Sequence, residues 1–356
     1  MDSLTQVVLG SSVAALAVPG RHRRAALVAG GLLGTLPDLD VFWFSWAGSD
    51  VVTQVTWHRG PSHSLLVLTG VGWLLWWCLK RWSIPVREAP GRWLGAIWLA
   101  LLTHPLLDAF TVYGTQLLWP LPMPPVMWSS IFIIDPVYTL PLLACVIAAW
   151  RMSPGRAAAG PDAARRDAAA RRWLVIGLSV SSAYLAWSVA AKYWVDRVAS
   201  HDLAAMGLQD APRFSTPLPF NTLLWRVIVM APDGYWIGDR SLLADRGKMR
   251  FTFQPSDRKA LEPLAVVPPL RRLLWFTHGF VGVRTLPRGD GESRLILSDL
   301  RMGLEPNYFF RYDIAGLDAG GRWRAAPEIV RLPAPSDRMA GLGWVWRRLF
   351  DSDARP

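Results

Sequence analysis

The sequence of 356 residues has little cysteine and few charged residues. Its two cysteines, Cys78 and Cys145, lie in apolar segments without CxxC spacing, which excludes a disulfide framework and a cysteine-type zinc finger. Charged residues make up 18% of the chain against 52% hydrophobic residues, a balance that is rare in soluble enzymes and impossible in disordered chains. We therefore expect much of the chain to lie in lipid.

Two further features are missing. The first ten residues have no basic stretch ahead of the apolar run, so they do not resemble a cleaved signal peptide, and we expect residues 3–20 to stay as a helix. The net charge of +11 is split into +6 before residue 196 and +5 from there on, so neither part has the concentrated basic face of a nucleic-acid-binding protein. We expect no nucleic-acid partner.

The first part of the chain is the apolar one. Fifteen of the 21 tryptophans but only nine of the 27 acidic residues precede residue 196, so we predict a transmembrane helical domain at 1–195 and a second domain at 196–356. Spanning a bilayer takes ~20 apolar residues. Six stretches approach this length, at roughly 3–19, 25–47, 63–79, 93–113, 129–150 and 173–195. The expected fold is a membrane α-helical bundle of about six transmembrane helices.

The loops between these stretches differ in charge. Thirteen Lys and Arg residues lie on alternate loops, whereas the loops 48–62 and 114–128 hold only Arg59. By the positive-inside rule the charged loops are cytoplasmic, and everything after residue 195 is periplasmic or extracellular. This predicts a multi-pass protein of the bacterial inner membrane. The Ala- and Arg-rich stretch 153–172 is predicted to be a solvated linker that ends in a short helix.

Beyond residue 196 the patterns shorten to strand length. RVIVMAPDGYWIG, MRFTFQP, RLILSDLRMG and NYFFRYDI alternate polar with β-branched or aromatic residues and are separated by Gly, Pro and Asp. They predict a small β-rich extracytoplasmic domain of ~150 residues, within the usual domain range.

Five ionisable residues lie inside the apolar stretches: Asp38, Asp40, His104, Asp108 and Asp135. Each costs roughly 2.5–3.5 kcal/mol at the centre of a bilayer. No Lys or Arg occurs between Arg92 and Arg151, so a bound cation is the simplest partner for the carboxylates there. Counting ~1.5 Å per residue from the cytoplasmic edges puts all five in one layer of the outer leaflet, below the loop of residues 58–63.

Three motifs in this layer have spacings that suit a metal. In THPLLD, His104 and Asp108 are four residues apart and share one helix face. In PDLD, the proline predicts a broken helix that turns Asp38 and Asp40 inward. In HRGPSH, the Gly-Pro turn can bring His58 and His63 onto one ion.

Imidazole and carboxylate without thiolate suit zinc, manganese, iron or nickel, with zinc the usual ion for hydrolysis. Each motif also has a simpler explanation. HxxxD can be a helix–helix hydrogen bond, PDLD a helix end, and the two loop histidines interfacial residues. Asp135 before Pro136 can be a helix N-cap. We expect His22, His201 and His278 to be surface or packing residues.

The sequence also resembles a known family. MDSLTQVVLG, GTLPDLD, HRGPSHS, LLTHPLLDAFTVYGTQLLWP and SIFIIDPVYTLPLL occur in an order that is similar to the YdjM-type family of inner-membrane proteins, described as metal-dependent hydrolases. The resemblance covers about residues 1–150. It implies six metal ligands: Asp38, Asp40, His58, His63, His104 and Asp108. Many members have histidine where this chain has Gln6, so no ligand is implied from the first helix.

These observations predict a membrane metal-dependent hydrolase. The bound metal, with zinc as the expected ion, would acidify water, and Asp40 or Asp38 would act as the general base. Arg59 would hold a substrate phosphate, because guanidinium groups match phosphate oxygens. A site that opens into the outer leaflet favours membrane lipid as the partner and a lipid-linked phosphodiester as the substrate. The alternatives are a metal-binding scaffold and a transporter, although transporters usually show internal repeats.

Overall fold

The computed structural model describes residues 1–287, 293–333 and 340–355. Its α-helices are α1 (Ser3–Ala17), α2 (Arg23–Thr35), α3 (Asp40–Trp46), α4 (Val51–Trp57), α5 (Leu65–Trp82), α6 (Ile84–Glu88), α7 (Pro90–Ala109), α8 (Pro136–Met152), α9 (Pro161–Ala205), α10 (Pro268–Phe276) and α11 (Ala340–Phe350). A 3₁₀ turn, Leu36–Leu39, joins α2 to α3. The N-terminal region is therefore helical.

The first helix packs closely against its neighbours, as its many small residues lead one to expect. α1 lies against α2, α7 and α8. A Cβ added at Gly10 would lie 2.3 Å from the Gly30 carbonyl oxygen, so the backbones of α1 and α2 touch. This contact fixes the register between the two helices.

Two helical segments are long and apolar enough to cross a membrane, Gly20–Trp46 and Pro161–Ala205. A third candidate is the pair Val51–His63 and Leu65–Trp82, bent by 55° at its break. α1 and α8 are apolar but shorter. The described residues thus contain two or three candidate spans, and the count of six stays a prediction.

The Ala- and Arg-rich stretch is more helical than expected. Its residues from Pro161 onward are the first turns of α9, which continues without a break through the sixth apolar stretch to Ala205. Only residues 153–160 connect α8 to α9 as irregular chain. Alanine and arginine are among the best helix formers, which accounts for the uninterrupted helix. The linker is therefore shorter, and the helix at its end longer, than the sequence predicts.

The C-terminal region is β-rich, as the alternating patterns predict. Its strands are β1 (Arg213–Pro217), β2 (Leu224–Ala231), β3 (Gly234–Ser241), β4 (Phe251–Pro255), β5 (Val281–Pro287), β6 (Ser293–Asp299), β7 (Gly303–Leu304), β8 (Asn307–Tyr308), β9 (Arg311–Leu317) and β10 (Trp323–Arg331). They form antiparallel sheets of order β1-β2-β3-β4, β10-β9-β6-β5 and β7-β8.

The two regions share a contact surface. Val52 of α4 belongs to the apolar core formed by the β5–β6–β9–β10 sheet and α10. Arg272 of α10 donates from Nε to Thr56 Oγ1 at 3.2 Å. The domain boundary predicted between residues 195 and 196 lies inside α9, and this boundary stays a prediction. The loop that carries His58 and Arg59 is thus held against the β-rich region.

Candidate metal centre

Four side chains converge where α2, α7 and the loop after α4 meet. Asp38, His63, His104 and Asp108 each present one donor atom, and these four atoms lie within 4.8 Å of one another. His63, His104 and Asp108 are fully buried, and Asp38 is partly exposed. The described residues therefore contain a buried group that can hold a metal ion.

The distances within this group are close to those of a tetrahedral site. His63 Nε2 and His104 Nε2 are 3.0 Å apart. Asp38 Oδ1 lies 3.3 Å from His63 Nε2 and 3.5 Å from His104 Nε2, and Asp108 Oδ2 lies at the same two distances. Ligands about 2.0–2.1 Å from a tetrahedral zinc are about 3.3–3.4 Å from one another. Five of the six donor–donor distances therefore fit one small divalent ion, and all four donors lie within 4.8 Å of one another.

His104 is oriented by the packing of α1 on α2. Its Nδ1 donates to the Gly34 carbonyl at 2.5 Å, which leaves Nε2 to face the centre. A Cβ at Gly34 would lie 2.4 Å from the Gln6 carbonyl oxygen, so only glycine allows α1 to approach this closely. Asp108 follows one turn later on α7 and shares the face of His104. The HxxxD spacing thus has the geometry that the sequence predicts.

His63 is oriented by a serine and a second carboxylate. Ser62 Oγ donates to Asp40 Oδ2 at 2.5 Å and lies 3.0 Å from His63 Nδ1. Because the single hydroxyl hydrogen goes to Asp40, the serine oxygen accepts from His63 Nδ1. His58 Nδ1 also donates to Asp40, at 2.8 Å to Oδ1. Such outer partners commonly fix the ring and tautomer of metal-binding histidines.

Asp108 has unusual surroundings for a buried carboxylate. Oδ1 accepts from Gln6 Nε2 at 3.0 Å and contacts the Met1 amino group. Oδ2 accepts no hydrogen bond from any residue that the structure describes, although it is fully buried. A buried carboxylate oxygen without a hydrogen bond is costly, and a cation at the centre would stabilise it.

Arg59 lies beside this carboxylate and is itself buried. Its Nε is 3.1 Å from Asp108 Oδ2, and Nη1 donates to Thr111 Oγ1 at 3.0 Å. Its guanidinium carbon is 4.9 Å from the centre of the Tyr113 ring. The Arg59 φ of +62° lies in the left-handed region, which costs a non-glycine residue of order 1–3 kcal/mol. The loop position of Arg59 predicts a place at the outer mouth, whereas in the structure Arg59 lies in the wall of the centre.

The six predicted ligands separate into two groups. Asp38, His63, His104 and Asp108 come together, whereas Asp40 and His58 pair with each other beside His63. Asp40 begins α3 while Asp38 is in the preceding 3₁₀ turn, and residues two apart on a helical path do not share a face. The placement of Asp40 and His58 therefore favours outer roles.

Other polar residues fall where simpler explanations put them. Asp135 caps α8, accepting from Val137 N at 3.0 Å, and accepts from Tyr184 OH at 2.9 Å. The N-cap alternative is therefore confirmed for it, and it contributes no atom to the four-residue group. His22 packs beside Trp93, and His201 is exposed. Gln6, by contrast, contacts Asp108, and sequence reasoning missed that role because the contact depends on helix packing.

The centre opens on the side of α3. The Asp38 side chain is 22% exposed, whereas its three partners are buried. The following residues expose large apolar side chains, with Phe42 72% and Trp46 80% exposed. The open side of the centre is thus bordered by a surface suited to lipid.

Comparison with known protein families identifies the family of the chain. The model of the YdjM inner membrane protein family matches residues 1–195, more than half of the chain. The chain belongs to this family. By family it is an inner membrane protein, and the matched YdjM region contains all four residues of the centre. No curated protein and no solved structure matches the chain.

Proposed function

We propose that this YdjM-family protein is a metal-dependent hydrolase of the inner membrane, with its site in the outer leaflet and a lipid-linked phosphodiester as substrate. One observation carries the metal part of the proposal. With the Nδ1 of each imidazole turned to an outer partner, the two Nε2 atoms face each other at 3.0 Å beside two carboxylate oxygens. A divalent cation among these four atoms would bind both imidazoles and balance both carboxylates.

The donor set fits zinc, with two imidazoles, two carboxylates and no thiolate. A divalent ion bound there would supply Lewis acidity and lower the pKa of water toward neutrality. The Asp40–His58 pair lies on the far side of His63, with the His58 and His63 ring centres 5.6 Å apart. We propose that the second imidazole nitrogen of His58 accepts the proton of the reacting water, through a further water that bridges the distance.

Arg59 would act on the anionic reacting group. Its guanidinium is fixed by Thr111 and the Tyr113 ring, so it needs no reorganisation when charge develops. Gln6 holds the other oxygen of Asp108 and keeps that carboxylate in one orientation. The open side at Asp38, bordered by exposed aromatic residues of α3, supports a substrate that arrives from the lipid phase.

The test uses the full chain in lipid nanodiscs, with bound metal measured by mass spectrometry and turnover measured on a fluorescent phosphodiester lipid. Asp38→Asn should lose metal and activity together. Asp40→Asn should keep metal but lose most activity, because its partner His58 no longer has a carboxylate to orient it. Stoichiometric metal without hydrolysis of phosphodiester, ester or amide lipids would support the non-catalytic scaffold instead.

A further inference from the structure

The last described helix, α11, has two different faces. Trp344, Val345 and Leu349 form an apolar core with Leu218 and Leu224 of the β-rich region. From the same side Arg348 donates to Asp245, with Nη2 2.7 Å from Oδ2. This face attaches the helix firmly to the β-rich region.

The opposite face is exposed and aromatic. Gly343, Trp346, Arg347 and Phe350 follow the spacing of one helix stripe, and all four are exposed. Trp346 is 50% and Phe350 73% exposed. The stripe carries one cation and no acidic residue. Large aromatic residues beside arginine are typical of helices that lie in the interface between lipid headgroups and acyl chains.

The segment beneath α11 touches membrane-spanning residues. Trp187 of α9 donates from Nε1 to Thr222 Oγ1 at 3.2 Å, and Thr222 donates to Tyr184 OH at 3.1 Å. The rings of Phe220 and Phe132 have centres 5.9 Å apart. Residues 218–224 therefore lie alongside α9 rather than above its end.

The depth of this segment follows from the length of the helix. Tyr184 and Trp187 are 12 and 15 residues beyond Arg172, the last residue of the charged end of α9. At ~1.5 Å per residue they lie about 18 and 22 Å into a hydrocarbon core ~30 Å thick. Because Thr222 is hydrogen-bonded to both residues, it lies about 8–12 Å below the far edge of that core. α11 packs directly on this segment, within about one helix diameter of ~10 Å.

We propose that α11 is an interfacial helix, lying in the surface of the same membrane that α9 spans. Trp346 and Phe350 insert among the acyl chains, and Arg347 contacts lipid phosphate. The helix holds the β-rich region against the lipid beside the spanning helices. This proposal is independent of hydrolytic activity, since it depends on the α9 span and the α11 stripe alone.

The experiment places single spin labels on the full chain in nanodiscs of phosphatidylethanolamine and phosphatidylglycerol. Trp346→Cys and Phe350→Cys are made in a background of Cys78→Ser and Cys145→Ala. The control is Asp233→Cys. Asp233 is exposed in the turn after β2, and β2 leads from Leu224 along α9 toward the C-terminal end of that helix. Labels at 346 and 350 should be several-fold more accessible to oxygen than to a water-soluble nickel complex, and the control label should show the reverse.

Two results would overturn the proposal. If the labels at 346 and 350 are as accessible to the nickel complex as the control, the stripe faces water. Strong dipolar broadening between labels on separate copies would show instead that a second chain covers the stripe. Gly343→Cys lies on the same stripe and removes no side chain, and an added Cβ there meets only Arg347 Nη1 at 3.7 Å, so it provides the same measurement if either aromatic variant fails to fold.

Discussion

The Nε2 atoms of His63 and His104 face each other at 3.0 Å. His104 Nδ1 donates to the Gly34 carbonyl, and His63 Nδ1 lies 3.0 Å from Ser62 Oγ, so both rings turn Nε2 toward the centre. Asp108 Oδ2, which lacks a hydrogen bond among the described residues, lies 3.3 Å from His63 Nε2 and 3.5 Å from His104 Nε2. Donor atoms and negative charge therefore point at one location, where they would stabilise a bound cation.

The first prediction concerns metal content. His63→Ala and His104→Ala should each lower bound metal at least tenfold, because each removes one of four donors. The measurement is metal analysis of protein purified in nanodiscs. His201→Ala is the control, since His201 is exposed and pairs with Asp202, far along α9. Full metal occupancy in His104→Ala would contradict the site and leave a helix–helix hydrogen bond as the role of this residue.

The second prediction concerns helix packing around the centre. Gly34→Ala would place a Cβ 2.4 Å from the Gln6 carbonyl oxygen and push α1 away from α2. Since Gly34 also accepts from His104 and Gln6 binds Asp108, metal affinity should fall about tenfold or more. Gly95→Ala on α7 is the matched control, because an added Cβ there meets nothing within 4 Å. Equal affinities in the two variants would show that the close approach does not orient the ligands.

Sequence reasoning reached the centre in part, and the residues show why. His104 and Asp108 could be paired because four residues of one helix return to the same face. Asp38 and Asp40 were assigned to one ion, yet the change from a 3₁₀ turn to α3 between them turns the two carboxylates apart. The sequence contains no signal for the left-handed backbone of Arg59, which lies between His58 outside the centre and His63 inside it.

The β-rich region shows the same limit. Four patterns of β-branched and aromatic residues between Gly, Pro and Asp predicted strands that the structure contains, because such residues favour strands. The strands β1 and β5 and the long edge strand β10 were not predicted. Nor could the sequence indicate that Arg301, after β6, would reach the carbonyl of Tyr113 in the membrane region at 2.8 Å. Contacts between residues 188 positions apart depend on how the two regions dock.

The third prediction tests that docking. Arg301 is buried, pairs with Asp299 at 2.7 Å and donates to the Phe276 and Tyr113 carbonyls. Arg301→Ala would leave a buried carboxylate unpaired, so the free energy of unfolding should fall by about 3–5 kcal/mol. Arg284→Ala is the control, because the Arg284 guanidinium that pairs with Glu305 is exposed. Its removal should lower the free energy of unfolding by under about 1 kcal/mol. Chemical denaturation of the β-rich region, followed by tryptophan fluorescence, measures the free energy of unfolding of both variants. Equal decreases in the two variants would contradict the prediction.

The fourth prediction is topological. Since 13 of 14 loop charges lie on alternate loops, a reporter inserted at residue 158, between α8 and α9, should be cytoplasmic. A reporter after residue 355 should be periplasmic or extracellular. Paired phosphatase and fluorescent-protein fusions measure both positions. If both report the same side, α9 does not cross the membrane, and neither the outer-leaflet site nor the interfacial position of α11 holds.

The fifth prediction concerns the substrate. Arg59→Lys keeps a positive charge near Asp108 but loses the planar fork that matches phosphate oxygens. Hydrolysis of a phosphodiester lipid should fall by about tenfold or more, mainly in kcat, with metal content unchanged. Hydrolysis of a neutral carboxylic ester lipid should change little, because no phosphate needs the fork. The measurement is steady-state turnover of both lipids in nanodiscs.

Arg59→Gly completes this test, because glycine accepts a φ of +62° without strain and removes the charge altogether. It should lower phosphodiester turnover further than Arg59→Lys does, while the relaxed backbone keeps His63 in place. If both variants hydrolyse the phosphodiester as fast as the unchanged protein, the phosphate-ester hypothesis is wrong even with the metal bound. An ester or amide lipid would then be the better candidate, since neither needs a guanidinium at the reacting group.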